Sequence, residues 1–125
     1  MFTRPNLAIV DDDCNVLLSL DSLLRACGYG VQLFDSAEKL LACNTLPSLS
    51  CMVSDIQMPG MNGLLMYQQL LAQGYSIPII FITASSDPVS RRSAEKLGAY
   101  GYLAKPFDSE MLIESIEGAI RSAGR

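Results

Sequence analysis

The chain has 125 residues, half of them hydrophobic, and a net charge of −4, which is the size of one domain able to bury about two thirds of its unfolded surface. Its nine Lys and Arg residues are scattered, with Arg91 and Arg92 alone adjacent, so no basic face is available to neutralise nucleic-acid phosphates and direct nucleic-acid binding is excluded. The absence of histidine excludes Ser-His-Asp and Cys-His catalysis, histidine-ligated zinc, and a phosphohistidine carried by this chain itself.

Taken in chain order, residues 7–10 form an apolar run of strand length. Leu17, Leu20, Leu24 and Cys27 then recur at spacings of three and four, the stripe of a helix that Gly28 can close in the left-handed conformation. A weaker strand run covers 31–34, and Asp35-x-x-Glu38 has the spacing of a capping box opening a short second helix. Residues 51–53 form a third apolar run, followed by a turn marked by Pro59-Gly60 and Asn62-Gly63 and by a helix over 64–71 that ends before Gly74. Residues 79–82 read as a fourth strand. Asp87-Pro88 combines an N-cap with proline at the first helical position, and Gly98 closes that helix. The last unit is a weak strand over 102–104, loosened by Gly101, and a helix capped by Asp108 with Leu112, Ile116 and Ile120 on one stripe, fraying at 122–125.

Five strand–helix units with continuous apolar strands predict an α/β fold, a doubly wound parallel sheet covered on both faces. No linker, repeat or low-complexity segment interrupts residues 1–125, which are expected to be a single domain. Cys14, Cys27, Cys43 and Cys51 make no C-x-x-C pair or metal knuckle, so reduced, mostly packed thiols of a cytoplasmic protein are expected. No signal peptide is expected at residues 1–5 and no apolar run reaches membrane-spanning length, so no membrane association is expected.

In such a sheet, ligands sit outside the carboxyl ends of the strands at the topological switch point. The first strand ends in Asp11-Asp12-Asp13, the third in Asp55, the fourth in Thr83, and the fifth is followed by Lys105-Pro106. Two unit charges about 4 Å apart repel by about 4 kcal/mol at an effective dielectric of 20. Converging carboxylates therefore bind protons or a cation. Oxygen donors without histidine or thiolate favour magnesium, which is completed by water and phosphate oxygens. The expected chemistry is phosphoryl transfer, with Asp55 as nucleophile and with Lys105 and Thr83 on the phosphoryl oxygens. Asp13 is expected to be the N-cap of the first helix.

The stretches "IVDDD" at 9–13, "SDIQMPGMNG" at 54–63, "PIIFITA" at 78–84 and "GAYGYLAKPFD" at 98–108 resemble the response-regulator receiver domains, the CheY-like family, across essentially the whole chain. Within that family the chain is most similar to the receivers of FixJ-type transcription regulators, through "DIQMPGMNGL" and "IPIIFIT". The resemblance implies a flavodoxin-like three-layer (βα)5 sandwich with strand order 2-1-3-4-5. It implies Asp55 as phosphoacceptor, Asp11 and Asp12 as the acidic pair, and the main-chain carbonyl of Gln57 as a further ligand of Mg2+ or Mn2+. It also implies Thr83 and Tyr102 as a switch pair and a cis peptide at Lys105-Pro106. The implied partner is a sensor histidine kinase. The implied output is a change in the face made by the fourth helix, fifth strand and fifth helix, used for a phosphorylation-dependent homodimer or another partner and, in a longer parent, for a transcription-factor output domain. Such a domain modifies and dephosphorylates itself but is not a turnover enzyme.

Two positions depart from the commonest pattern: Gln57 and Ser85, each two residues beyond a site residue, stand where the family tunes phosphoryl lifetime. Two other readings compete. A phosphohydrolase of the haloacid-dehalogenase type also uses a strand-end Asp with Mg2+, but normally carries a second Asp where this chain has Gln57. A flavin carrier would need a hydroxyl-rich phosphate loop after the first strand, where Asp11, Asp12 and Asp13 would repel the cofactor. Arg91 and Arg92 read as a solvated helix face.

Overall fold

Strand and helix alternate through the computed structural model, which describes residues 4–84 and 87–123; Ser85 and the last two residues of the expected frayed end lie outside the described residues. The elements are β1 (Asn6–Val10), α1 (Cys14–Ala26), β2 (Gly30–Phe34), α2 (Ala37–Ala42), a 3-10 turn (Leu46–Ser48), β3 (Leu49–Asp55), α3 (Gly63–Ala72), β4 (Ile79–Thr83), α4 (Pro88–Lys96), β5 (Gly101–Ala104) and α5 (Ser109–Ala123). Among the described residues the strands form one sheet in the order β2-β1-β3-β4-β5, every pairing parallel. The order reverses at β1, which lies between β2 and β3, so the crevice for ligands opens at the carboxyl ends of β1 and β3.

Successive strand residues point to opposite faces, and both faces are covered, which is why the strands read as unbroken apolar runs. Leu7, Ile9, Cys51, Val53, Ile80 and Ile82 pack against Leu17, Leu20 and Leu24 of α1 and Leu112, Ile116 and Ala119 of α5. On the other face Ala8, Val10, Met52, Ile79 and Phe81 meet Leu40 of α2, Met66, Tyr67 and Leu70 of α3, and Ala94 of α4. This is the three-layer α/β sandwich expected from the resemblance.

Local signals set most of the boundaries. The Asp13 carboxylate accepts from Asn15 N at 2.9 Å and caps α1. Asp87 accepts from Ser90 N at 2.8 Å with Pro88 opening α4. Gly28 and Gly98, at φ of 95° and 87°, end α1 and α4 in the region that side chains avoid. The second helix departs from expectation. Its N-cap is Ser36, not Asp35: the Ser36 hydroxyl accepts from Lys39 N at 3.1 Å. Glu38 does not fold back on the cap but accepts from Met61 N at 3.2 Å, tying α2 to the turn that follows β3.

Cys27 also differs, for it is the exposed C-cap of α1 and not part of its buried stripe. The thiols are less packed than expected, with Cys14 and Cys27 exposed, Cys43 half-buried and Cys51 alone in the core, and all four are free. Among the described residues no helix is long and apolar enough to cross a membrane.

Candidate functional site

β1 delivers Asp11 one residue past its end, where the main chain is still anchored by Asp11 N donating to Phe34 O at 3.1 Å. The Asp11 side chain is fully buried. One carboxylate oxygen accepts from Asp13 N at 2.9 Å, and the other accepts from Lys105 Nζ at 3.0 Å. Asp12, next in the chain, is exposed.

Asp55 is the last residue of β3 and is 7% exposed. Its Oδ1 accepts from Gln57 N at 3.3 Å and its Oδ2 from Lys105 Nζ at 3.4 Å. Thr83 ends β4, buried, and its main-chain oxygen accepts from Lys105 N at 2.7 Å. That bond holds the start of the Lys105–Pro106 connection, whose peptide is cis, against the neighbouring strand end.

The fold thus brings the ends of β1, β3, β4 and the residue after β5 to one rim, and carboxylate oxygens of Asp11, Asp12 and Asp55 lie within 4.8 Å of one another. Three carboxylates facing one ammonium leave an excess of two negative charges. The consequence is visible in Asp55, whose carboxyl is held above its ordinary range, first by burial and then by the charge of Asp11, with Lys105 pulling in the opposite direction. For Lys105, burial alone favours the neutral amine, but the hydrogen bond and charge of Asp11, joined by Asp55, outweigh it and the ammonium is strengthened.

An all-oxygen donor set of this charge, with two of its three carboxylates sealed from water, matches a hard divalent cation and not zinc or copper. The residues therefore fit magnesium. Gln57 has its side chain exposed and its amide turned to Asp55.

Tyr102 lies in β5 opposite Phe81. Its ring is half-buried and its hydroxyl, buried, has no hydrogen-bond partner among the described residues. The Arg91 guanidinium stands 5.4 Å from the ring centroid, within the range of a cation–π contact. Arg91 is thus not simply a solvated charge on α4. Ser54 is a residue that sequence reasoning passed over. It is a fully buried hydroxyl that donates to Asp55 O at 2.8 Å, and the signal was a serine set between the apolar run 51–53 and Asp55.

The sequence model of the response regulator receiver domain matches residues 7–117. The chain belongs to that family. As a receiver domain it is 41% identical over 125 residues to the transcriptional regulatory protein FixJ of Bradyrhizobium diazoefficiens, covering 98% of this chain and 60% of that protein. It is 39% identical over 115 residues to the response regulator protein TodT of Pseudomonas putida, covering 92% of this chain and 51% of that one. A crystal structure titled FixJ-N superposes with a TM-score of 0.85 at 34% identity over 96% of both chains. The receiver domain spans between half and two thirds of the length of these two curated relatives. It is the receiver of a two-component response regulator, a signalling domain related to regulators of transcription.

Proposed function

We propose that Asp55 of this receiver accepts a phosphoryl group from a phosphohistidine of a sensor histidine kinase and passes the change to the face made by α4, β5 and α5. The observation that carries this reading is the convergence of Asp11, Asp12 and Asp55 on one rim with Lys105 bonded to two of them. An Asp55 carboxylate oxygen attacks phosphorus in line with the P–N bond. A P–O bond forms as the P–N bond breaks, and the imidazole nitrogen keeps the electron pair.

Asp11, Asp12, Asp55 and the main-chain carbonyl of Gln57 hold Mg2+, or Mn2+ in its place, which supplies neutralisation of the phosphoryl oxygens. Lys105 exchanges its Asp55 contact for a phosphoryl oxygen while keeping Asp11, and Thr83 offers its hydroxyl to another. The groove of about 240 Å³ lined by Asn15, Val16, Ser19, Leu20, Lys105 and Phe107 leads from the surface of α1 to Lys105 and suits the approach of a donor domain.

The added charge of about −1.5 to −2 draws Thr83 inward, and the neighbouring Tyr102 ring follows into the space that the Thr83 side chain vacates. The exposed residues Val89, Tyr100 and Met111 then present an altered surface to a second copy or another partner. Residues 1–125 act as one receiver unit in the cytoplasm, which removes its own phosphoryl group at a rate tuned by Gln57 and Ser85. In a longer parent protein, likeness to FixJ and TodT supports a transcriptional output.

Titration with beryllofluoride and Mg2+, followed by amide chemical shifts, tests the reading. Saturable, Mg2+-dependent shifts that begin at residues 55–57 and reach Tyr102 are expected, and none in Asp55→Asn. Sustained turnover of a phosphate ester would instead favour the dehalogenase-type hydrolase.

A further inference from the structure

The hydroxyl of Ser54 sits where the strand pattern calls for a hydrocarbon. Ser54 is fully buried in β3, paired with Val10 on one side and Phe81 on the other. Alternation along the strand puts it on the face of Met52, beneath α3. A hydroxyl in such surroundings is unfavourable unless bonded. Its bond goes to the main-chain oxygen of the next residue, Asp55, at 2.8 Å.

That same oxygen occupies the place a Cβ on Gly63 would need, so α3 begins with its bare Cα against the Asp55 carbonyl. Gly63 N in turn donates to Ile56 O at 2.8 Å, and Gln57 N donates to Asp55 Oδ1 at 3.3 Å. The turn of residues 56–62 is therefore closed at its base by contacts on two consecutive peptide groups, and the first of these is set by Ser54.

We propose that Ser54 is a positioning residue: its hydroxyl, with the bare Cα of Gly63, fixes the Asp55–Ile56 peptide plane and so aims the Asp55 carboxylate and the Gln57 carbonyl at a shared divalent cation. The proposal rests on the reading of these two groups as Mg2+ ligands. Ser54 touches neither cation nor phosphoryl group and acts through the main chain of the residue that does. Rotation about the bonds flanking this one peptide moves both groups relative to Asp11, which β1 holds independently. A side chain without a donor leaves the carbonyl unanchored from below. Threonine keeps the donor, and cysteine keeps the size with a far weaker one.

The test uses Ser54→Ala, Ser54→Thr and Ser54→Cys in the full chain, with three readouts: Mg2+ affinity from amide-shift titration, amide exchange of Gln57 and Gly63 in the metal-free protein, and the urea midpoint. Ala and Cys are expected to weaken Mg2+ binding about tenfold, the lower end for groups that orient metal ligands. They should also speed exchange at Gln57 and Gly63 relative to amides of β1 and β4, while Thr restores most of both. A lowered urea midpoint with unchanged Mg2+ affinity, and with exchange at Gln57 and Gly63 rising only in step with the core, would overturn the proposal. If the parent chain binds no Mg2+ at all, the metal reading fails on its own, and the metal-free exchange rates still decide whether Ser54 holds the turn.

Discussion

Asp55 is almost sealed from water with the Asp11 carboxylate beside it, and Lys105 recovers only part of that cost, so its carboxyl is held above the ordinary range. A raised acid binds more protons folded than unfolded, and its contribution to stability is whole below the unfolded value and is lost as pH rises through the folded one. In the metal-free domain, then, ionised Asp55 opposes folding at neutral pH. Lys105 has the reverse role: its raised value means that its contribution is present at neutral pH and lost only in strong alkali. Replacement of Asp55 by asparagine removes the opposing charge while keeping the shape. We expect Asp55→Asn to melt at a higher temperature than the parent at neutral pH without metal, with the gain shrinking as pH falls through the raised folded value of Asp55 and gone below the ordinary carboxylate value of about 3.9. Melting curves at several pH values in the presence of a chelator would check this, and an equal or lower melting temperature for the variant at neutral pH would contradict the electrostatic account of the site.

On the scale of elements, α5 contains a residue that a helix disfavours. Gly118 lies in its interior, at a cost of about 1 kcal/mol relative to alanine, and the hydroxyl end of Tyr100 fills the place where a Cβ would stand. Tyr100, half exposed, is thereby laid along α5 on the face proposed for signalling. Gly118→Ala should gain about 1 kcal/mol when Tyr100 is also replaced by alanine, and much less in the parent background, where the methyl group displaces the ring. Urea unfolding of the two single variants and the double variant measures the coupling, and equal gains in both backgrounds would show that the ring does not rest there. This pair was not legible in the sequence, and the reason is general to the chain. Asp13 and Asp87 were readable as caps because a cap bonds two or three residues away. Asp35 and Glu38 had the right spacing, yet Ser36 took the cap and Glu38 found Met61, 23 residues on, because tertiary contact outbid a local pattern. Cys27 fitted the stripe of α1 but fell just past its last turn. The site carboxylates were legible since each lies at a strand end or within two residues past it. Ser54, Gly63 and the Arg91–Tyr102 stack depend on which elements lie above them, which spacing along one chain does not encode.

For the molecule as a whole, the rim joins the ends of four strands and two layers of helices, so a cation bound there recognises the folded state alone. Such a ligand stabilises by mass action, about 2.7 kcal/mol at one hundred times its dissociation constant. For a domain of this size that is a rise of roughly 10 °C in melting temperature. Asp12 is the exposed member of the acidic group, so Asp12→Asn should leave the metal-free melting temperature close to that of the parent while flattening its rise with Mg2+. Asp55→Asn should begin higher and also stay flat. The parent curve is therefore expected to start below that of Asp55→Asn and to cross it as Mg2+ increases, because the repulsion that burdens the empty rim is the attraction that holds the ion. Melting temperature against the logarithm of Mg2+ concentration, with chelator as the zero, gives the three curves. Parallel curves for parent and variants would mean that the acids at this rim do not share a cation, whatever their distances.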